Sequence, residues 1–222
     1  MTFSKRLLVS KLYPKKIELF ERLNTNKFFV TDVLNKTGNT PCFNTREEMY
    51  DFINKEYIAG NQFDYLEFGV FEGAAIKRWS ELNKNPDSRF YGFDSFKGLP
   101  EDLNSIKKKG SFNVNGKIPE IEDRRVEFIK GWFHESLPQF LKSYRKPNKL
   151  VIHIDADLYS STLFCLTKLD EFILKDTIVI FDEFYDLLHE FLAFHDYTKS
   201  YYKNWEIVAL TNKCVQVAVI FK

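Results

Sequence analysis

Asp64-Tyr65-Leu66-Glu67-Phe68-Gly69-Val70-Phe71-Glu72-Gly73-Ala74-Ala75 reads as a short apolar strand that runs into a glycine turn and then opens a helix. Gly69 and Gly73 would let the backbone approach a ligand closely, because residues without a Cβ reach conformations and distances that others do not. Glu67, at the end of the strand, is a candidate acceptor for hydrogen bonds from an ammonium or a ribose. The third glycine of the dinucleotide fingerprint is missing. A tight strand-to-helix connection with no ligand would look the same, so the loop alone does not decide between the two.

The next strand, Phe90-Tyr91-Gly92-Phe93-Asp94-Ser95-Phe96, carries Asp94 at 25 positions after Gly69. That spacing brings an acid to a nucleotide ribose, whose two hydroxyls one carboxylate can accept together. A turn-capping role is the plain alternative. From Asp64 onward short apolar runs alternate with amphipathic segments, the pattern of consecutive βαβ units around a parallel sheet. Strands are expected at Tyr65–Gly69, Phe90–Asp94, Val126–Lys130, Leu150–Asp155 and Thr177–Asp182. After a helix over roughly Leu187–Tyr202, Trp205–Leu210 and Val215–Phe221 flank Thr211-Asn212-Lys213-Cys214 as an antiparallel hairpin. The expected fold is α/β: a Rossmann-like, doubly wound, mostly parallel seven-stranded sheet closed by that hairpin. Residues 1–60 form an N-terminal helical extension, in which Thr45-Arg46-Glu47-Glu48 is a capping box for a helix of about a dozen residues. Residues 61–222 form the catalytic domain. The stretch Ser95–Glu120, lysine-rich and punctuated by Gly98, Pro100, Gly110, Gly116 and Pro119, is a long connection suited to a lid.

Two further motifs sit at strand ends. Gly131-Trp132-Phe133 offers an aromatic face and backbone amides to an adenine, or is ordinary packing. His153-Ile154-Asp155-Ala156-Asp157-Leu158-Tyr159 and, one unit later, Phe181-Asp182-Glu183 should end neighbouring strands, where ligands of a parallel sheet collect. Asp155, Asp182 and Glu183 would repel one another unless a cation joined them, and oxygen-only ligands favour a hard ion such as Mg²⁺. Asp157 is then placed to take the proton from a substrate hydroxyl. The alternatives are that Asp157 caps the next helix and Glu183 faces solvent.

Composition narrows the partners. Of 222 residues, 32 Lys and Arg stand against 31 Asp and Glu, a formal charge of +1, so nothing global draws the chain to nucleic acid or to an anionic membrane. No apolar run approaches the ~20 residues of a membrane span. The basic start Met1–Ser10 lacks an export-signal apolar stretch, and the odd set Cys42, Cys165 and Cys214 suggests neither disulfides nor zinc, so a cytoplasmic protein is expected. His189 and His195 are six apart, which misses the spacing of a helical zinc pair, and His153 reads as structural. Lys107-Lys108-Lys109 reads as a solvated run, with screening of an anionic substrate as the alternative.

From about Asp64 to Phe221 the chain resembles the macrocin O-methyltransferase family. The resemblance rests on Glu67-x-Gly69-x-x-x-Gly73, Phe93-Asp94-Ser95-Phe96-x-Gly98-Leu99-Pro100 and Asp155-x-Asp157-Leu158-Tyr159-x-Ser161-Thr162. It implies an S-adenosylmethionine-dependent O-methyltransferase with a small-molecule acceptor, a sugar hydroxyl in the family, and leaves a homo-oligomer open. It implies S-adenosylmethionine held by Glu67, Gly69, Gly73, Asp94, Ser95, Gly131, Trp132 and Asp155. It also implies Mg²⁺ on Asp155, Asp182 and Glu183, with Asp155 and Asp157 as the catalytic pair. The rival reading is a metal-dependent nucleotide-sugar glycosyltransferase, because Asp155-Ala156-Asp157 also matches that Asp-x-Asp signature. It leaves the Glu67–Gly73 loop and Asp94 unexplained.

Overall fold

The computed structural model describes residue 23 and residues 25–145 and 149–222; the Met1–Ser10 stretch lies outside them. The chain divides into two units, Met1–Asn39 and Thr40–Lys222. In the first, residues 25–32 are helical and a 3-10 turn follows at Leu34–Lys36.

The second unit is an eight-stranded sheet. Its strands are β1 (Cys42–Phe43), β2 (Asp64–Phe68), β3 (Arg89–Asp94), β4 (Val126–Lys130), β5 (Leu150–Ile154), β6 (Ile178–Phe181), β7 (Trp205–Thr211) and β8 (Val217–Phe221), in the spatial order β1-β7-β8-β6-β5-β2-β3-β4. All seven strands expected from the sequence are present, with bounds shifted by a residue or two. The eighth, β1, corrects the count: two residues carry no alternation signal, and its partner β7 lies far away in sequence, at Leu210 and Thr211. β8 runs antiparallel to both β6 and β7, which is the expected terminal hairpin, closed by a 3-10 turn at Asn212–Cys214.

Helices cover both faces. α1 (Arg46–Ile53) starts at a complete capping box, with Thr45 Oγ1 accepting from Glu48 N at 3.2 Å and Glu48 Oε2 from Thr45 N at 3.3 Å. It continues into a π-helical turn at Asn54–Ile58. α1 and α2 (Ala74–Leu82) pack on one face, where Trp79 stacks on Tyr65 at 5.4 Å and Tyr50 meets Trp79. α3 (Phe133–Leu141) and α5 (Glu190–Ser200) pack on the other, through Phe133 on Phe68 and Phe194 on Phe181, and α4 (Tyr159–Lys168) lies against both. β2, β5 and β6 are buried at every position, so their sequences read as continuous apolar runs interrupted by a few polar residues, Glu67 and His153 among them. Among the described residues no helix is long and apolar enough to cross a membrane.

Candidate active site

The helix that follows β2 lies on one face of the sheet and the helix that follows β5 on the other, while β2 and β5 are neighbours. A crevice opens at such a switch point beyond the carboxyl ends of the strands. There the structure holds a cavity of about 620 Å³, walled at one end by Gly69, Asp94, Ser95, Gly131 and Trp132 and at the other by Asp155, Asp157, Asp182 and Glu183. Motifs separated by over a hundred residues in the sequence therefore meet in one chamber.

At the first end the glycine loop is built around Asp94. Its Oδ2 accepts from the backbone N–H groups of Val70 at 2.8 Å and Phe71 at 2.9 Å, and its Oδ1 from Phe96 N at 2.7 Å. The carboxylate thus fixes two loops at once, and still lines the cavity with one lone pair to spare on Oδ1. Gly69 has φ +94°, and a Cβ there would lie 1.8 Å from the carbonyl oxygen of Asp155, so only glycine lets β2 and β5 close up at this level. Ser95 accepts from Lys97 N through its Oγ, and Trp132 sits at the N-cap of α3. Two residues expected on the cofactor do not line the cavity: Gly73 and Glu67. Gly73 is the N-cap of α2 at φ +81°. Glu67 is buried on the α1–α2 face, where the Tyr65 hydroxyl donates to its Oε2 at 2.7 Å. Strand alternation explains this, because residues 65 and 67 share a face. The same hydroxyl lies 2.7 Å from His153 Nδ1, which makes His153 the structural residue expected.

The second end concentrates acids. Asp157 is a buried, non-glycine residue at φ +57°, a strained conformation of the kind that clusters at functional sites. Burial pushes its carboxyl up to about 6, with Lys107 pulling against this and Glu183 adding to it. Burial likewise pushes the Asp155 carboxyl well above the ordinary carboxylate range, helped by Asp182, Glu190, Asp157 and Glu67. Asp182 Oδ1 accepts from Gln216 Nε2 at 3.2 Å and stands 3.6 Å from Arg46 Nη1 and 3.9 Å from His153 Nε2. Glu183 turns the other way: its Oε1 accepts from Lys107 Nζ at 2.7 Å, and the same ammonium reaches Asp157 Oδ1 at 3.2 Å. Among the described residues no three His, Cys, Asp or Glu side chains are grouped to hold a metal ion. Asp155, Asp182 and Glu183, expected to share Mg²⁺, all line the cavity, where Asp182 is held by Gln216 and faces Arg46 while Glu183 is held by Lys107.

Two residues here are missed by the sequence reading. Lys107 belongs to a run that reads as solvated, yet it lines the cavity with its ammonium between two acids and 5.0 Å from the Phe112 ring. Glu190, fully buried at the start of α5, accepts from Ala156 N at 3.2 Å and Glu183 N at 3.1 Å, tying the loop after β5 to the loop after β6. Its signal is a lone acid in an apolar helix start, visible only once its neighbours are known. His189 does not line the cavity; its Nδ1 accepts from Tyr159 N at 3.4 Å.

Solved structures share this doubly wound fold. The O-methyltransferase NovP aligns over 79% of this chain and 78% of its own with a TM-score of 0.59 and 23% identity. The calicheamicin methyltransferase CalS11 aligns over 93% of each chain, with a TM-score of 0.63 and 19% identity. The chain belongs to the macrocin O-methyltransferase family, whose sequence model matches residues 37–221. It is also 27% identical over 159 residues to the 8-demethyl-8-(2,3-dimethoxy-alpha-L-rhamnosyl)-tetracenomycin-C 4'-O-methyltransferase of Streptomyces olivaceus. That match covers 62% of this chain and 59% of the relative, less than two thirds of its length.

Proposed function

We propose that this protein is an S-adenosylmethionine-dependent O-methyltransferase acting on a hydroxyl of a sugar or sugar-bearing small molecule. One observation carries the reading: a single cavity joins the Gly69–Asp94–Trp132 end, suited to a nucleoside, to a buried carboxylate, Asp157, that is close to neutral pH in its affinity for a proton. S-adenosylmethionine, when bound, supplies an activated methyl group. Asp94 would accept from a ribose hydroxyl with the lone pair that the loop amides leave on Oδ1, Trp132 and the Gly131 backbone would flank the adenine, and Ser95 would close the ribose side. Gly69 lets the backbone reach the ligand, whereas Glu67 and Gly73 act behind it, shaping the loop. Asp157 would take the acceptor proton as the acceptor oxygen bonds to the methyl carbon and the carbon–sulfur bond breaks, releasing S-adenosylhomocysteine, and holding acceptor and donor in line would supply most of the acceleration. Family membership and the rhamnosyl substrate in the relative's name support a sugar as acceptor.

The Mg²⁺ expected on Asp155, Asp182 and Glu183 does not fit this arrangement, in which Lys107 already occupies the space between Glu183 and Asp157.

Calorimetric titration with S-adenosylhomocysteine, against UDP-sugar and NAD controls, tests the reading. Micromolar binding of S-adenosylhomocysteine alone is the expected result; silence there with metal-dependent UDP-sugar binding would move the assignment to a glycosyltransferase using Asp155-Ala156-Asp157.

A further inference from the structure

The cation that the sequence demands between the acids is present, and it is a side chain. Asp157 and Glu183 are both pulled to the Lys107 ammonium, at 3.2 and 2.7 Å, although Lys107 comes from the connection between β3 and β4 and not from the sheet. Its placement is built in. Asn104 Oδ1 accepts from the backbone N–H groups of Ile106 and Lys107, each at 2.8 Å, and Leu103 N donates to the Lys107 carbonyl at 3.0 Å. Asp102 takes up the next two residues, accepting from Lys108 Nζ at 3.0 Å and from Lys109 N at 2.8 Å. Of three consecutive lysines one is thus turned into the cavity, while Lys108 pairs at the surface. The connection itself is cross-bonded, with Leu99 N donating to Ser111 O and Gly110 N to Leu99 O, both at 2.9 Å. Burial works against a charged Lys107, yet Glu183 and Asp157 outweigh it and hold the ammonium above its usual range.

A hard divalent ion needs oxygen contacts of about 2.0–2.5 Å and several of them. An ammonium 2.7 Å from Glu183 takes the place of such a contact on that oxygen, so at Glu183 the two cations compete. We propose that Lys107 is a positioning residue that supplies the cationic charge of the acid end, bridging Asp157 and Glu183, so that a divalent metal competes with Lys107 instead of completing the site. The bridge holds the Asp157 carboxylate in place on the cavity wall and leaves metal as an antagonist. The inference deepens the methyltransferase reading and rests on it for the role of Asp157, but the ion competition is measurable without any acceptor.

The experiment is Mn²⁺ binding followed by electron paramagnetic resonance on the 222-residue chain, its Lys107→Met and Lys107→Arg variants and the double variant Lys107→Met/Glu183→Gln, with S-adenosylhomocysteine affinity measured on each. Lys107→Met should bind Mn²⁺ at least about tenfold more tightly than the parent, Lys107→Arg should not, and the double variant should lose the gain, while S-adenosylhomocysteine affinity stays within about twofold in all four. A loop merely loosened by the methionine would not produce a gain that Glu183→Gln removes. Equal Mn²⁺ affinity in parent and Lys107→Met, or tight stoichiometric binding by the parent with Lys107 in place, overturns the proposal. Absence of S-adenosylhomocysteine binding in all four alongside the expected Mn²⁺ pattern overturns the methyltransferase reading and leaves the bridge standing.

Discussion

At the Asp94 end of the cavity one carboxylate meets three backbone N–H donors, whereas at the Asp157 end Asp155, Asp157, Asp182, Glu183 and Glu190 crowd together around one lysine, one arginine and two bracketing amides. The first end is a satisfied turn, stable as it stands. The second stores repulsion: burial and neighbouring charge push Asp155, Asp157 and Glu190 all upward. The difference matches the division of labour. A nucleoside is bound best by groups already in their final positions. A proton acceptor must be held where its ionised form is not too comfortable, because a fully stabilised carboxylate is too weak a base near neutral pH.

If the two ends are so divided, damage to each should be separable. Gly69→Ala should have the largest effect, since it breaks the seam on which both ends depend: its Cβ would overlap the Asp155 carbonyl, and the backbone would have to open. We expect a stability loss on the order of 3 kcal/mol and at least about a 100-fold loss of S-adenosylhomocysteine affinity, read by urea denaturation and calorimetry. Asp157→Asn should instead spare binding and lower the rate of methyl transfer by about 10²–10⁴-fold, measured with a labelled methyl donor and a panel of glycosides. An Asp157→Asn enzyme with parental turnover would remove Asp157 from the chemistry.

The pH profile draws the same line. Asp157 accepts a proton only when ionised, and its carboxyl is pushed up to about 6. The rate under limiting substrate should therefore rise with pH, gaining about tenfold per unit below pH 6 and levelling above it. S-adenosylhomocysteine affinity should change little over that range. Asp94→Ala is the converse variant: with three amides left without their acceptor, cofactor affinity should fall by about 10–100-fold with a smaller change in the rate at saturation.

The two ends also differ in how far the sequence discloses them. Gly69, Asp94, Ser95 and Trp132 are local: each sits at a strand end, and the strand, the turn and the next helix are all written within a few residues. The fold is legible for the same reason, as apolar runs at the period of a parallel sheet mark seven strands; β1 is not, because two residues carry no period. The acid end depends on pairs far apart in sequence. Lys107 meets Asp157 and Glu183, and Glu190 meets Ala156, contacts that charge pattern alone does not announce. Glu67 shows the opposite failure. Its position in the motif suggests a ligand contact, but the alternation that puts Tyr65 and Glu67 on one buried face is already in the sequence and outweighs the motif in deciding where the side chain goes.

A buried acid need not be functional to be displaced in this way, and Asp64 provides the control. It begins the same strand whose far end carries the glycine loop, and it is buried, accepting from the Tyr144 hydroxyl at 3.0 Å. Burial pushes its carboxyl up to about 6 also, with the Tyr144 bond and Arg89 pulling it partly back. The folded state therefore holds this proton more tightly than the unfolded chain, whose Asp titrates near about 3.9. The resulting stabilisation is complete below that value and is lost as pH rises through about 6, leaving an ionised carboxylate in an apolar setting at higher pH. Asp64→Asn keeps an acceptor for Tyr144 and removes the charge. It should raise stability by about 1–2 kcal/mol at about pH 8 and by almost nothing at about pH 4, in urea denaturation, with turnover unchanged. If the gain at the higher pH is absent, Asp64 is hydrated in the folded protein and burial alone does not set the proton affinity of acids in this sheet; the case for Asp157 as a tuned base would then rest on its strained backbone and its cavity position alone.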